Sequence, residues 1–119
     1  MPFDNANVPE SPRTRALRRA RNLIAKGWVA GIRQSGNNYC ALGALDRTCP
    51  MSIRVSTEDF LGTFATFRGH DKCNNTTVHD WSNSHQKIAA HSNMTGQMGA
   101  VEMFDNAIAA SVELDMMNA

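Results

Sequence analysis

One set of residues in this chain could carry nucleophilic chemistry. A cysteine nucleophile needs a histidine within hydrogen-bond reach and a third group that orients the histidine. Cys40 with His85, oriented by Asn83, supplies that inventory, and His79 with Asp80 supplies an alternative. Because the chain has four histidines, sets of this kind also arise by chance. The sequence therefore keeps a cysteine-dependent enzyme as an alternative and favours a non-enzymatic protein.

Metal-binding residue types are present without the spacing of a zinc site. His70 and Cys73 lie three residues apart, and other Cys and His residues could add ligands. Zinc sites usually show paired close spacings, and only half of one such pair exists here. A phosphate-binding loop and a dinucleotide fingerprint are also missing. We predict no metal and no cofactor.

The element that must position Cys40 is a short central helix built on the stretch Tyr39–Arg47 and ending near Thr48, because the residue before Pro50 disfavours helix. The preceding Gly36-Asn37-Asn38 forms a turn in which an Asn can cap a helix. Leu42 and Leu45 then lie close together, beside a face of small residues that includes Cys40 and Gly43. Small residues let a second helix backbone approach closely, so we predict a buried packing hub with tight neighbours.

Two interpretations of Cys40 stay open. Cysteines that form no disulfide are among the most buried residues and are usually inert, which fits the packing hub. In the first turn of a helix, however, the thiolate would be favoured by the helix N-terminus. If the hub is correct, Cys40→Ser leaves a buried hydroxyl without a partner and costs more than Cys40→Ala. Gly43→Leu should be worse than either through overpacking.

The first helix is strongly basic. Ser11-Pro12 is typical of a helix start, and we expect the helix to run to Lys26, with Gly27 as a left-handed stop. It holds six of the chain's twelve Lys and Arg residues. Helical spacing places the apolar positions Ala16, Leu17, Ala20, Leu23 and Ile24 on one side. It places Arg15, Arg18, Arg19 and Lys26 on the opposite side, as a solvated face or a docking surface.

Four further segments complete the prediction. Residues 51–56 alternate apolar and polar, as a short strand or extended coil would. Ser56 begins a helix that runs to Gly69 and buries Phe60, Phe64 and Phe67. Asn83 bonds the local backbone at a helix entry, with Trp81 as a core plug. Thr95 caps an acidic last helix with the apolar stripe Met98, Val101, Phe104, Ile108 and Val112, which lies beside the basic first helix.

Composition agrees with one folded domain. The chain has 119 residues, 42% of them hydrophobic and 19% charged, with a net charge of +1. No apolar run reaches transmembrane length and no signal peptide is evident. Three cysteines, an odd number, suit a reducing cytoplasm.

We predict a mainly α single domain over residues 11–119 after an extended arm at 1–10. It should be a compact bundle of four to five helices with a short central helix, and 51–56 is the one candidate strand segment. The core should contain Leu42, Leu45, Phe60, Phe64, Val101, Phe104 and Ile108.

Four stretches together resemble a small domain family of unknown function from actinobacteria, bacteriophages and prophages. They are Lys26-Gly27-Trp28, Cys40 to Leu45, Trp81 with Asn83, and Phe104 to Ile108. The sequence departs from the family's Trp-Asn-Asp turn, because Ser82 intervenes and Ser84 stands where an Asp is usual. The resemblance implies that Cys40, Trp81 and Asn83 share one arrangement. It implies no activity, and it suggests a phage or mobile-element protein.

The leading functional hypothesis is a non-enzymatic interaction protein that binds and modulates a host protein, such as a defence component, in the cytoplasm. Its docking surface would be the basic face of the first helix. Nucleic-acid binding through the same face is a weaker alternative, because no aromatic residue is interleaved with the arginines. No membrane partner is expected, and the sequence does not define the oligomeric state.

Overall fold

The computed structural model describes residues 9–66 and 83–118, together with the backbone of residues 72–73 and 76–77. Its helices are α1 (Pro12–Lys26), α2 (Ala41–Thr48), α3 (Met51–Gly62) and α4 (Ser84–Met117). Strands β1 (Gln34–Ser35) and β2 (Asn38–Tyr39) pair antiparallel, as do β3 (Lys72–Cys73) and β4 (Thr76–Thr77). The mainly α fold class with a short central helix is confirmed. The predictions for the 1–8 part of the arm, Phe67, His70, His79, Asp80 and Trp81 lie outside the described residues.

Helix α1 forms as its local signals predict. Ser11 is the N-cap and accepts a hydrogen bond from the Thr14 amide, while Pro12 occupies the first helical position. The predicted apolar side is buried, with Leu23 only partly so. Gly27 follows the helix in an extended conformation (φ −178°), so the left-handed stop was wrong. Gly27 lacks space for a larger residue, because a Cβ there would meet Asn38 Oδ1 at 2.2 Å.

The connector (residues 27–40) ends in a hairpin instead of a helix cap. Gly36 has a positive φ of 62° and stands in the two-residue turn between β1 and β2. Asn38 is therefore part of a strand, and the N-cap of α2 is Cys40. Cys40 consequently precedes the first turn of α2, where the sequence analysis had placed it inside that turn.

Helix α3 begins at Met51 and ends at Gly62, so both the strand or coil over 51–56 and the helix end at Gly69 were wrong. Ser56 does not begin the helix, and its hydroxyl donates to the Ile53 carbonyl. The alternating pattern predicted that the apolar positions of a strand are buried, but the helix buries a different set of positions. Arg54 is turned inward, while the apolar Met51 and Val55 face solvent.

Helix α4 contains a kink at Gly96, whose φ of 77° and ψ of −169° are not helical. The buried His91 spans the kink: its Nδ1 accepts from the Thr66 amide at 3.0 Å, and its Nε2 lies 3.0 Å from the Gly99 carbonyl. Thr95, expected to cap the last helix, donates its hydroxyl to the His91 carbonyl. Met98, placed in the apolar stripe by its spacing, is 86% exposed, because the kink resets the helical phase before it.

The core lies where α1 packs against α2 and α4, and α3 packs against α4. Of the predicted core residues, Leu42, Leu45, Phe104 and Ile108 are buried. Phe60, Phe64 and Val101 are half-buried and pack against that cluster. The basic first and acidic last helices do lie side by side. Within the described residues, no helix combines the length and apolar character that a membrane span requires.

Candidate functional site

The solvent-facing side of α1 carries a straight row of cations. Arg15, Arg19 and Lys26 stand at positions i, i+4 and i+11, which places them on one face of a helix, and all three are exposed. At about 1.5 Å per residue the row extends roughly 16 Å. We call these three residues the basic row.

The other arginines of α1 are already paired within the chain. Arg18 Nε lies 2.6 Å from a Glu10 carboxylate oxygen, and Arg21 Nε lies 2.9 Å from Asp105. Arg13 lies 3.6 Å from Asp115. Among the described residues, the basic row has no carboxylate within ion-pair distance; Arg15 donates to the Glu10 backbone carbonyl. Arg18, predicted as a binding residue, is therefore partly neutralised, and the positive charge is concentrated on the row.

A groove borders the end of this row. It lies where the last turn of α1 meets α4 just after the kink, with a volume of about 550 Å³. Ala25, Val101 and the exposed Met98 provide apolar surface, and Glu102 provides an acidic side. This size falls in the range of roughly 300–1,000 Å³ typical of ligand pockets. The α1 surface thus combines cations with an adjacent apolar recess.

Cys40 has a capping role in α2. Its side chain is buried, and its Sγ accepts from the Gly43 amide at 3.5 Å. A second amide at the helix N-terminus, that of Ala41, donates to Ser92 Oγ at 3.3 Å. Ser92 also accepts from the Trp28 indole at 3.2 Å. Two buried acceptors, one on the connector and one on α4, therefore satisfy two of the orphan amides at the N-terminus of α2.

His85 is oriented by Glu58, a residue that the sequence analysis did not select. His85 Nδ1 lies 3.1 Å from Glu58 Oε1, and its Nε2 lies 3.2 Å from Arg33 Nη2. Asn83 is the N-cap of α4 and accepts from the Gln86 amide at 3.3 Å, as its capping interpretation predicted. Because both ring nitrogens of His85 are engaged, His85 is not available in this arrangement as a base for Cys40.

His85 belongs to a closed ring of five charged or titratable side chains. Arg33 donates to Asp46 at 2.7 Å, and the second oxygen of Asp46 accepts from Arg54 at 2.7 Å. Arg54 Nε then contacts Glu58 at 2.5 Å, and Glu58 leads through His85 back to Arg33. We call this the polar ring. It joins the connector, α2, α3 and the first turn of α4.

Burial and charge act in opposite directions on the ring. The Arg54 side chain is only 10% exposed, and its third nitrogen faces the Leu42 carbonyl. Burial alone would lower the pKa of Arg54, but Asp46 and Glu58 together raise it. Burial would likewise raise the pKa of Glu58, yet the hydrogen bonds from His85 and Arg54 and the charge of Arg54 bring it below the ordinary value. The buried charges are thus compensated by their partners.

The sequence did contain one signal for the ring. Arg54 and Glu58 have the i, i+4 spacing of a helical ion pair. That signal was hidden because residues 51–56 were interpreted as a strand or coil, which placed Arg54 outside the helix that contains Glu58. Arg33 and Asp46 carried no local signal, because their contact exists only once the connector folds back on α2.

The described residues contain no group of three or more His, Cys, Asp or Glu side chains placed to hold a metal ion. Comparison with known proteins gave no match to a family model, to a curated protein or to a solved structure.

Proposed function

We propose that this protein is a small binding module that docks through α1 onto an acidic surface of a protein partner. The basic row supports this proposal most directly. Arg15, Arg19 and Lys26 are exposed on one rigid helix face without a described carboxylate partner, whereas Arg18 and Arg21 beside them are paired. A row of unneutralised cations on a rigid element steers an acidic partner and fixes its register.

The groove beside the row favours a protein over a nucleic acid. Protein interfaces combine an apolar centre with a polar rim, and here Val101 and Met98 line a groove that reaches Ala25, the residue before Lys26. A flexible, polarizable Met is common at surfaces that adapt to a partner. Single-stranded nucleic acids are instead bound by cations together with stacking aromatics, and α1 has no aromatic residue.

The resemblance to a phage and prophage domain family supports a finer proposal. On that basis the partner is a host protein, for example a defence component, met in the cytoplasm. The enzyme alternative has less support, since Cys40 is buried at a helix cap and both ring nitrogens of His85 are engaged.

Site-specific photo-crosslinking in bacterial cells tests the docking face. A photoreactive amino acid replaces the exposed Asn22, which lies between Arg19 and Lys26, and a control protein carries it at the exposed Val55 on α3. We expect a discrete protein adduct from position 22 and none from position 55. Arg19→Glu should lower the adduct yield several-fold. Arg47→Glu, the same charge change at an exposed residue of α2, should leave it unchanged.

Three results would contradict the proposal. An adduct that nuclease removes would indicate the nucleic-acid alternative. Equal loss of the adduct in Arg19→Glu and Arg47→Glu would show that net charge matters and the row does not. Equal adducts from positions 22 and 55 would show that the α1 face has no preference.

A further inference from the structure

We propose that the polar ring is a proton-operated latch that protonation of His85 opens. The ring ties the connector to the first turn of α4 through Arg33 and His85, whose facing nitrogens are 3.2 Å apart. This inference concerns the ring alone and does not depend on the partner of α1.

The chemistry of Arg33 fixes the state of His85. A guanidinium has only N–H donors and no acceptor, so His85 Nε2 must accept the bond. In a neutral imidazole the other nitrogen then carries the proton, and Nδ1–H donates to Glu58 at 3.1 Å. The ring is therefore closed only by a neutral His85 with its proton on Nδ1.

Protonation removes one contact and keeps the other. A second proton on Nε2 would place an N–H and a positive charge against the guanidinium of Arg33, and that contact would be lost. Nδ1–H would still donate to Glu58, now as an ion pair. Arg33 would keep Asp46, which accepts from its other terminal nitrogen at 2.7 Å. The ring thus opens at one defined bond.

The surroundings allow this exchange. The side chains of His85 and Arg33 are 40% and 39% exposed, so protons and water reach the contact. Among the described residues, the charged groups around His85 are Glu58 and Arg54 from α3, Asp46 from α2 and Arg33 from the connector. The two cations and two carboxylates balance, so the proton on His85 decides the net charge of the ring. Histidine changes charge between about pH 5 and 8, which is a physiological range.

The backbone around Arg33 does not need to move. Its carbonyl accepts from the Cys40 amide at 3.2 Å and presses against Gly43. Opening therefore releases the Arg33 side chain and the first turn of α4 from each other, while the hairpin stays on α2. The expected result is a local loosening at residue 85 and the release of Arg33 Nη2 to water, while Nη1 stays bonded to Asp46.

Nitrogen NMR of the full chain, labelled in its histidine rings and arginine side chains, tests the latch. While His85 is neutral, we expect its proton on Nδ1 and an Arg33 Nη2 nitrogen shift that reports the hydrogen bond to Nε2. Once acid has protonated both ring nitrogens, we expect the Nη2 shift to move to that of a guanidinium nitrogen without this bond, while Nη1, which donates to Asp46, keeps its shift. The amides of β1 and β2 should keep their positions.

Matched variants separate the latch from general acid effects. His85→Gln is neutral at every pH, so the acid-dependent change in the Arg33 Nη2 shift should disappear. Asp59→Asn, at an exposed carboxylate of α3 outside the ring, should retain the wild-type behaviour. A neutral His85 ring with its proton on Nε2 would overturn the proposal. So would an Arg33 Nη2 shift that does not change when His85 becomes doubly protonated, and both wild-type results stand even if a variant fails to fold.

Discussion

Gly43 packs directly against the backbone of Arg33. A Cβ added to Gly43 would lie 1.7 Å from the Arg33 carbonyl oxygen and 2.5 Å from its carbonyl carbon. The same oxygen accepts the Cys40 amide at 3.2 Å. The small face of α2 therefore does admit a close neighbour, as the sequence indicated, but that neighbour is the connector and not a second helix.

Gly43→Ala should destabilise the protein although alanine is the better helix former. The propensity gain is about 1 kcal/mol, whereas the new methyl group meets backbone atoms that cannot rotate away. We expect a net loss of about 1–3 kcal/mol in chemical denaturation, and a larger loss for Gly43→Leu. Gly27→Ala is the matched comparison, because its Cβ first meets the side-chain oxygen of Asn38. Equal losses at the two glycines would contradict this packing argument.

Cys40→Ser should cost less than Cys40→Ala, the reverse of the order that the sequence alone suggested. The order from the sequence rests on a buried hydroxyl without a partner, but the side chain at position 40 accepts a hydrogen bond from the Gly43 amide. Serine is among the best N-cap residues, and replacing such a cap by alanine costs about 0.5–2 kcal/mol. Thermal melts of both variants give the order. A serine variant less stable than the alanine variant would contradict the capping role.

Gly96→Ala should destabilise the protein because alanine is strained in the backbone conformation of the α4 kink. The φ of 77° and ψ of −169° fall in a region that is essentially restricted to glycine, and violations cost about 1–3 kcal/mol. Nothing lies within 4 Å of the added Cβ, so steric contact contributes little. The control is Met98→Ala, at an exposed side chain two residues after Gly96. Equal unfolding free energies for Gly96→Ala and the wild type would show that the kink is not required.

The elements that the sequence predicted well are those whose signals are local. Ser11, Pro12 and the apolar spacing of α1 lie within the helix itself, so its bounds and exposed row followed from the residues. The start of α3 did not follow, because the alternation over Met51–Val55 is typical of a strand, while the helix buries the charged Arg54. Arg54 can turn inward because Asp46, on another helix, supplies a carboxylate.

The candidate sites divide in the same way. Arg19 and Lys26 are exposed because helical spacing places them opposite the apolar side of α1, and this spacing can be counted from the sequence. The pairing of Arg18 with Glu10, and the meeting of Arg33 with His85, depend on where the chain returns in space. Residue types alone could list Cys40 and His85 as partners but could not show that Glu58 holds the imidazole.

Protonation of Glu58 in acid should lower the free energy of unfolding. Its pKa is lowered in the folded protein: burial would raise it, but the hydrogen bonds from His85 and Arg54 and the charge of Arg54 prevail. A lowered folded pKa gives stability that is present above the unfolded value, about 4.5, and is lost as pH falls through the folded value. Glu58→Gln should therefore be less stable at neutral pH but lose less stability as pH falls below the ordinary value of about 4.5. Denaturation at each pH measures both, with Asp59→Asn as the exposed control. Parallel pH curves for Glu58→Gln and the wild type would contradict this.

The start of α1 and the end of α4 are joined by a directional chain of hydrogen bonds. Arg13 Nε donates to Ser111 Oγ at 2.7 Å, and Ser111 lies 2.6 Å from the hydroxyl of the buried Thr14. Thr14 in turn lies 2.6 Å from Asp115, a carboxylate that can only accept. Thr14 must therefore donate to Asp115, and Ser111 must donate to Thr14. Burial would raise the pKa of Asp115, but the bonds from Thr14 and Ser11 and the charge of Arg13 lower it.

Thr14→Val should break this chain at its centre while preserving shape. The variant leaves the Ser111 hydroxyl without its acceptor and Asp115 without one donor, so we expect a loss of about 1–3 kcal/mol. The pKa of Asp115, followed by carboxyl NMR, should rise toward its ordinary value. Thr14→Ser keeps the hydroxyl and should cost only the lost methyl, about 0.8 kcal/mol. A double-mutant cycle with Ser111→Ala completes the test, because residues in one network couple by about 0.5–3 kcal/mol. Strict additivity of Thr14→Val and Ser111→Ala would show that the two hydroxyls act independently and that no directed chain exists.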